Sequence, residues 1–252
     1  MRKLTAIIPC YNEEHHIAGA LESVAFADEI LVVDSFSTDQ TVEIARAYAS
    51  RILQHQYTTS ARQKNWAIPQ ATHEWILLLD ADERITTDLK EEIQHLLAGP
   101  IAEEILGFWI YRKNHFMGKE VHFSGWQNDK VIRLFRRDSC RYEDKLVHEE
   151  IQGDGRFSYL KSRIHHNTYR SIDEHVAKLN RYATWQAMEY DKITGTLTPY
   201  HFVVKPFWRF FRHYFIQQGF REGVVGFTIS YLRSYSIFIR YVKVWLFRRD
   251  LK

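Results

Sequence analysis

The first hundred residues alternate between short apolar runs and longer stretches in which apolar residues recur at helical spacing. The apolar runs lie at 4–9, 29–34, 51–54 and 76–79, and the helix-like stretches at 17–24, 38–49, 60–71 and 87–97. An aliphatic run such as Ile76-Leu77-Leu78-Leu79 is typical of a strand that is covered on both faces of a parallel sheet. The alternation predicts βαβ units and therefore an α/β fold with helices covering the sheet.

The pattern changes after residue 100. Three apolar stretches, at 107–113, 121–123 and 131–135, predict antiparallel strands added to the parallel core. A helix is predicted over about 171–193, with Ser171 as its N-cap. From Pro206 onward aromatic and basic residues interleave, which predicts a basic, amphipathic helical extension.

Acidic residues follow the ends of the predicted strands. Asp34 ends the second strand, and Asp80 and Asp82 follow the fourth. Ligands of open α/β sheets bind beyond the carboxyl ends of such strands. A divalent cation that also holds a diphosphate takes one or two protein carboxylates, so this arrangement indicates a metal-assisted diphosphate site. The alternative is that Asp80 and Asp82 only cap the next helix, which is predicted to begin near Thr86.

Composition narrows the classes of protein that fit. The chain has 252 residues and two cysteines, Cys10 and Cys140, whose separation indicates neither a disulfide framework nor a zinc site. A reducing, cytoplasmic setting is therefore expected, and no export signal is visible at the N-terminus. Residues 200–252 carry ten Lys or Arg against two Asp or Glu, whereas residues 1–199 carry 24 against 29. The two parts are therefore expected to face different partners.

Four motifs in this order resemble those of the inverting nucleotide-sugar glycosyltransferases of family 2. They are Ile-Ile-Pro-Cys-Tyr-Asn-Glu-Glu at 7–14, Val-Val-Asp-Ser-Phe-Ser-Thr-Asp-Gln-Thr at 32–41, Arg-Gln-Lys-Asn-Trp-Ala at 62–67 and Asp-Ala-Asp at 80–82. No glycine-rich phosphate loop is present in the sequence. The resemblance implies the GT-A fold, a Rossmann-like mixed sheet covered by helices, as a catalytic domain over 1–199.

The resemblance also implies how a nucleotide sugar is held. It assigns donor-binding roles to Pro9, Tyr11, Glu13, Asp34, Arg62, Lys64, Asp80 and Ala81. Asp34 would accept a hydrogen bond from the uracil, with a structural turn as the alternative. Asp82 would ligate Mg²⁺ or Mn²⁺, and His166, rather than its neighbour His165, would be a second ligand. Imidazole suits Mn²⁺ better than Mg²⁺.

Inverting transfer requires a base that takes the proton of the acceptor hydroxyl. The segment 147–151 provides Glu149 and Glu150, and Glu149 is favoured, with an exposed position at a strand end as the alternative for Glu150. Trp126, which follows Gly125, is expected either to stack on an acceptor sugar or to pack in the core.

A narrower resemblance spans nearly the whole chain. The segments 131–137, 147–149, 165–171, 178–182 and 205–209 are similar to those of bacterial lipopolysaccharide core β-1,4-glucosyltransferases. This resemblance implies UDP-glucose as donor and a heptose on a lipid-linked oligosaccharide as acceptor. The alternatives are another donor sugar, a lipid-phosphate or surface-polymer acceptor, or a non-catalytic scaffold of the same fold.

The segment 200–252 is predicted to lie on the inner face of the cytoplasmic membrane. Arg233, Arg240 and Lys243 interrupt its longest apolar stretch and share one helical stripe, so the segment is not expected to span the membrane. Interfacial helices of this kind place rings at the headgroups and cations on anionic lipid. The alternatives are packing on the catalytic domain or on another subunit. Nucleic-acid binding is not supported by any recognised module.

Overall fold

The computed structural model describes residues 2–145, 149–167 and 171–251. The chain forms two compact units. Unit 1 consists of residues 1–113 and 130–166, and unit 2 of residues 114–129 and 167–252. The functional division of the chain after residue 199 stays a prediction.

Four parallel strands form one half of the sheet in unit 1. They are β1 (Leu4–Cys10), β2 (Glu29–Asp34), β3 (Arg51–Gln54) and β4 (Trp75–Leu78). β1 is central, pairing with β2 on one side and β4 on the other. Every residue of β1, β2 and β4 is buried, as their apolar runs predict. In this register Cys10 lies opposite Asp34, so the strand ends meet at one edge.

Helices follow the parallel strands. They are α1 (Ile17–Ser23), α2 (Thr41–Ala45), α3 (Ser60–Ala67), which continues as a 3₁₀ turn (Ile68–Gln70), and α4 (Thr87–Ala98). Thr59 and Thr86 cap α3 and α4 by accepting hydrogen bonds from Arg62 N and Leu89 N. α2 is shorter than predicted. At its first residue, Thr41, both the amide and the hydroxyl donate hydrogen bonds to Asp39.

The other half of the sheet is antiparallel, as predicted. It is formed by β5 (Glu83–Ile85), β6 (Ile105–Phe116), β8 (Lys130–Arg136) and β11 (Arg156–Asn167), and the sheet runs in the order β3-β2-β1-β4-β8-β6-β11-β5. A separate small ladder joins β9 (Arg141–Tyr142) to β10 (Ile151–Gln152). The prediction of a strand at 121–123 is wrong: β7 (Lys119–Glu120) ends before it, and the amides of His122 and Phe123 donate to Glu222 instead.

Unit 2 is mainly helical. It contains α5 (Ile172–Ile193), α6 (Lys205–Phe211) and α7 (Val224–Phe247), with π-helical turns at Tyr200–Val204 and Arg212–Ile216 and a 3₁₀ turn at Gly219–Glu222. Ser171 caps α5 as predicted, accepting a hydrogen bond from Glu174 N. Within the described ranges, no helix has the length and apolar character that crossing a bilayer requires.

The basic stripe of α7 packs on α5. Arg240 is 7% exposed, and its guanidinium donates to Gln186 Oε1 at 2.6 and 2.9 Å. Lys243 Nζ donates to the carbonyl of Asn180 and to Thr184 Oγ1. The prediction that this stripe faces anionic lipid is therefore wrong for Arg240 and Lys243, because their charges are used within the helical unit.

Candidate active site

The end of β2 holds a fully buried carboxylate. Asp34 accepts hydrogen bonds from the amide of Ser37 at 3.1 and 3.2 Å and from Gln54 Nε2 at 3.2 Å. These contacts come from the turn after β2 and from β3. They fix the loop beyond the strand, so Asp34 has a structural role whether or not a uracil binds there.

The loop after β1 presents an exposed ring beside this edge. Pro9 is buried in register with Val33, while Tyr11 is 56% exposed. Asn12 has a positive φ of 53° and accepts a hydrogen bond from Thr38 N at 2.8 Å, and Glu13 N donates to Thr41 Oγ1 at 2.7 Å. The β1 and β2 loops are thus tied together, leaving Tyr11 accessible to a ligand.

Asp80 lies after β4, held by two cations. Arg133 Nη2 on β8 donates to Asp80 Oδ2, and Lys64 Nζ on α3 lies 3.4 Å from Asp80 Oδ1. Burial would raise the pKa of Asp80, but the charges of Arg133, Lys64 and Arg112 outweigh it and hold the pKa well below its usual range. Asp80 is therefore ionised at neutral pH.

A second buried acid anchors the same arginine. Glu83 is fully buried, lies 2.8 Å from Arg133 Nη2 and 2.9 Å from Arg112 Nε, and accepts the amide of Asp80 at 3.1 Å. This network fixes the turn that carries Asp80. The helix-cap alternative for Asp80 and Asp82 is wrong, because β5 intervenes and Thr86 caps α4.

Asp82 and His166 are brought together by strand pairing. β5 and β11 are antiparallel, with His166 opposite Glu83. His166 Nε2 lies 3.5 Å from Asp82 Oδ2, and both side chains are mostly buried. Of the residues that the structure describes, no three His, Cys, Asp or Glu side chains form a group able to hold a metal. The pair fits a two-ligand cation site whose other positions go to phosphate oxygens and water.

Glu149 joins the cluster through α3. Its Oε1 accepts a hydrogen bond from Ser60 Oγ and lies 3.3 Å from Lys64 Nζ, and the carboxylate is 13% exposed. Burial would raise the pKa of Glu149, but Lys64 and Ser60 lower it further than burial raises it. Glu150 is exposed. Residues 146–148, which include the predicted Val147 and His148 of this motif, lie outside the described residues.

Two predicted donor residues do not join the cluster of charges. Arg62 forms an exposed ion pair with Asp144, with Nη2 3.0 Å from Oδ2. Ala81 is buried, and its carbonyl accepts a hydrogen bond from Arg84 Nη1 at 2.7 Å. The side chain of Arg62 thus projects to solvent, on the same helix as the inward-facing Lys64.

Trp126 belongs to the core of unit 2. It is 8% exposed and packs with Val121, Ile229 and Leu232, and its ring meets Phe116 edge-on at 5.8 Å. These contacts support the core-packing alternative for Trp126.

Sequence reasoning missed four residues that organise the charges of unit 1. They are Ser60, Glu83, Arg133 and Tyr142. Arg133 stands in a strand pattern between Ile132 and Leu134, both of which are buried. A charged residue inside an otherwise apolar strand is a signal for a buried ion pair, since lysine and arginine are rarely fully buried without a partner.

The family model described as Glycosyl transferase family 2 matches residues 5–141. The lipopolysaccharide core biosynthesis glycosyltransferase LpsC of Rhizobium meliloti is 29% identical over 249 residues, covering 96% of this chain and 92% of that protein. An uncharacterized glycosyltransferase of Rickettsia typhi is 27% identical over 254 residues, covering 97% and 87%.

Among solved structures, Staphylococcus aureus TarS 1–349 in complex with UDP-GlcNAc is similar to this chain. The TM-score is 0.48 and the sequence identity 17%, and the similarity covers 99% of this chain and 92% of that chain.

Proposed function

The chain belongs to glycosyl transferase family 2, and from this premise we propose that it is a metal-dependent inverting enzyme that moves glucose from UDP-glucose to a heptose of the lipopolysaccharide inner core. The observation that carries the proposal is the meeting of Asp80 and Glu149 at one ammonium, that of Lys64. A carboxylate suited to proton transfer thus lies beside the edge of the sheet where a diphosphate would bind. The similarity to LpsC supports the acceptor class.

Glu149 is proposed as the general base. As the acceptor oxygen forms its bond to the anomeric carbon, the hydroxyl proton passes to the Glu149 carboxylate. The bond between that carbon and the β-phosphate oxygen breaks, and its electron pair leaves with UDP. Attack opposite to the leaving group inverts the anomeric configuration. The exposed Glu150 serves as the alternative base.

The donor would be held at the ends of β1, β2 and β4. Tyr11 offers an accessible ring to the uracil. The carboxylate of Asp34 accepts a hydrogen bond from the amide of Ser37, in the loop after β2. Asp82 and His166 would hold Mg²⁺ or Mn²⁺, which would supply charge stabilisation to the departing diphosphate. Because His166 contributes an imidazole, the pair favours Mn²⁺.

Membrane association is proposed for an aromatic surface of unit 2. This aromatic surface consists of the exposed side chains Phe207, Trp208, Phe215, Phe220, Phe227 and Tyr231. The exposed Arg212 and Arg221 lie in the same turns. Rings at the headgroup level and arginines on lipid phosphates are typical of interfacial helices, and the acceptor is itself a lipid of the cytoplasmic membrane face.

The activity is tested by a donor screen that follows release of the donor's nucleoside diphosphate, with heptose-terminated lipopolysaccharide as acceptor. UDP-glucose, UDP-galactose, UDP-N-acetylglucosamine and a nucleoside-diphosphate heptose are compared, with and without Mn²⁺. The proposal expects metal-dependent turnover with UDP-glucose. Turnover with another donor would replace the sugar assignment, and tight UDP binding without turnover on any donor would favour a non-catalytic scaffold.

The membrane proposal is tested by sedimentation with vesicles that contain anionic phospholipid. Replacing Phe207 and Trp208 by Ser is expected to weaken binding by about tenfold or more, since each ring loses buried apolar area. The matched control is Tyr57→Ser, which removes an exposed ring of unit 1. Equal binding of both variants would contradict a role for the aromatic surface.

A further inference from the structure

The ammonium of Lys64 joins carboxylates from two separate segments of unit 1. Nζ lies 3.4 Å from Asp80 Oδ1 and 3.3 Å from Glu149 Oε1, and the side chain is 9% exposed. The ring of Tyr142 lies 5.1 Å from the same Nζ. One buried cation therefore connects the turn proposed to bind the donor with the residue proposed to act as base.

Two contacts to the Glu149 carboxylate use one oxygen and come from one helix. Ser60 and Lys64 lie four residues apart on α3, so they share a face of the helix, and both bind Oε1. A carboxylate oxygen held by an ammonium and a hydroxyl is a poorer proton acceptor than a free one. In the arrangement observed, Glu149 is therefore restrained from accepting a proton.

Lys64 can move away from either carboxylate without leaving that carboxylate unpaired. Asp80 keeps Arg133, whose Nη2 donates to Oδ2, and Glu149 keeps the hydroxyl of Ser60. Removing the sole partner of a buried charge is costly, but here each acid has a second donor. A lysine ammonium is also a point charge on a flexible four-carbon stem, which suits movement between anions.

We propose that Lys64 is a positioning residue that makes proton transfer conditional on donor binding. This inference rests on the proposed function. The diphosphate of the donor attracts Nζ away from Glu149 Oε1, and the freed carboxylate then accepts the proton of the acceptor hydroxyl. The donor must therefore bind before the proton of the acceptor hydroxyl can be transferred. Glu149 stays restrained while the donor site is empty.

Among the residues that the structure describes, charged and titratable groups from four elements face this pair. α3 contributes Lys64 itself, the turn after β4 contributes Asp80, β8 contributes Arg133 and β9 contributes Tyr142. Burial would lower the pKa of Lys64, but Asp80, Tyr142 and Glu149 outweigh it and raise that pKa. Lys64 therefore stays charged, and Glu149 is the member of the pair expected to change its proton affinity.

The test is the affinity for UDP-glucose, measured by calorimetry between about pH 5 and pH 8 in the presence of Mn²⁺. UDP-glucose is chosen because, unlike UDP, it has no phosphate that titrates in this range. If binding frees Glu149, the wild-type protein takes up protons on binding, and its affinity falls as the pH rises. The fall is about tenfold for each unit by which the pKa of Glu149 in the complex exceeds the lower end of this pH range.

Three variants separate this coupling from a structural role. Glu149→Gln and Lys64→Met are both expected to lose the extra proton uptake, and Lys64→Met also binds UDP-glucose more weakly. Lys3→Met, the matched control at an exposed lysine of the same unit, keeps the coupling. Should Lys64→Met fail to fold by circular dichroism, the comparison of wild type with Glu149→Gln decides alone.

The outcomes distinguish the inference from the proposed function. UDP-glucose binding with the same proton uptake in wild type and Glu149→Gln overturns the role of Lys64 and leaves the glycosyltransferase proposal standing. A wild-type protein that does not bind UDP-glucose at any pH, yet binds another donor, overturns the donor assignment, and the same pH series is then run with that donor. Binding to no nucleotide sugar overturns both.

Discussion

The two units use basic residues in opposite ways. In unit 1, Lys64 and Arg133 are buried and face carboxylates, those of Asp80, Glu83 and Glu149. In unit 2, Arg240 is just as buried but binds the neutral amide of Gln186. Burial lowers the pKa of Arg240, whereas the carboxylates outweigh burial and raise that of Arg133. The first arrangement builds a site, and the second joins two helices.

The comparison teaches that a count of cations does not identify a binding surface. The excess of Lys and Arg after residue 200 predicted contact with anionic lipid, yet Arg240 and Lys243 are held by α5. Arg248 is likewise held, with Nε 2.7 Å from Asp191 Oδ1. The aromatic rings of unit 2 do face solvent, and together with the exposed Arg212 and Arg221 they carry the membrane proposal.

The sharpest test of unit 1 as the reacting unit is Glu149→Gln. Loss of the general base is expected to lower kcat by about 10²- to 10⁴-fold, because the acceptor proton has no carboxylate to receive it. UDP-glucose binding should persist. The matched variant is Glu150→Gln, expected to keep wild-type turnover. Near-normal turnover of Glu149→Gln, with loss in Glu150→Gln, would exchange the two roles.

The buried ion network of unit 1 is tested by Arg133→Leu. Removing this partner leaves Asp80 and Glu83 with fewer cations, so the free energy of unfolding is expected to fall by about 3–5 kcal/mol. Arg62→Leu removes an exposed pair with Asp144 in the same unit and should cost much less. Denaturant unfolding of both variants measures the difference. Equal losses would show that burial does not distinguish the two arginines.

Two tryptophans make the same comparison within unit 2. Trp126→Ala is expected to destabilise the protein by about 3–5 kcal/mol, because it opens a cavity among Phe116, Ile229 and Leu232. Trp208→Ala, at an exposed position, should change stability by about 0.5 kcal/mol or less. Thermal unfolding checks both. A small effect of Trp126→Ala would contradict core packing and favour the alternative prediction, that Trp126 stacks on an acceptor sugar.

The smallest expected effect is a pH dependence in unit 2. His213 is buried, with Nδ1 2.8 Å from the Ser124 carbonyl, and burial lowers its pKa to about 4. An unfolded histidine titrates near pH 6.5, so the unfolded state binds the extra proton as the pH falls toward 4. Stability should therefore drop over this interval, by about 1–2 kcal/mol after allowance for solvent screening.

His213→Gln is expected to reduce that slope of stability against pH, and His122→Gln, which changes an exposed histidine of the same unit, is expected to keep it. Urea unfolding at a series of pH values provides the measurement. An unchanged slope in His213→Gln would assign the pH dependence to other groups, such as His175, whose pKa burial also lowers to about 4.

Local signals in the sequence predicted much of the fold. The apolar run of β2 and its terminal Asp34, the run of β3 and the cap Ser171 were predicted correctly. Each of these features depends on neighbouring residues alone. The meeting of the strand ends could then be predicted as well, because parallel strands present their carboxyl ends at one edge of the sheet.

Contacts between distant segments could not be predicted in this way. Lys64 meets Glu149 across 85 positions of sequence, and Arg133 meets Glu83 across 50. Residues 114–129 belong with the C-terminal helices, although their position in the chain suggests the sheet. Such pairings depend on strand order and helix packing, for which the periodicity of a single segment carries no signal.

The most direct test of the account is metal-dependent binding of UDP-glucose to Asp82→Asn. The account predicts that wild-type protein binds UDP-glucose more tightly with Mn²⁺ than without it. In Asp82→Asn the gain from Mn²⁺ is expected to disappear, since losing a ligand should exceed the 10- to 100-fold cost of losing an outer-shell partner. Asp154→Asn, an exposed change in the same unit, should keep the gain. An undiminished effect of Mn²⁺ in Asp82→Asn would contradict the proposed site.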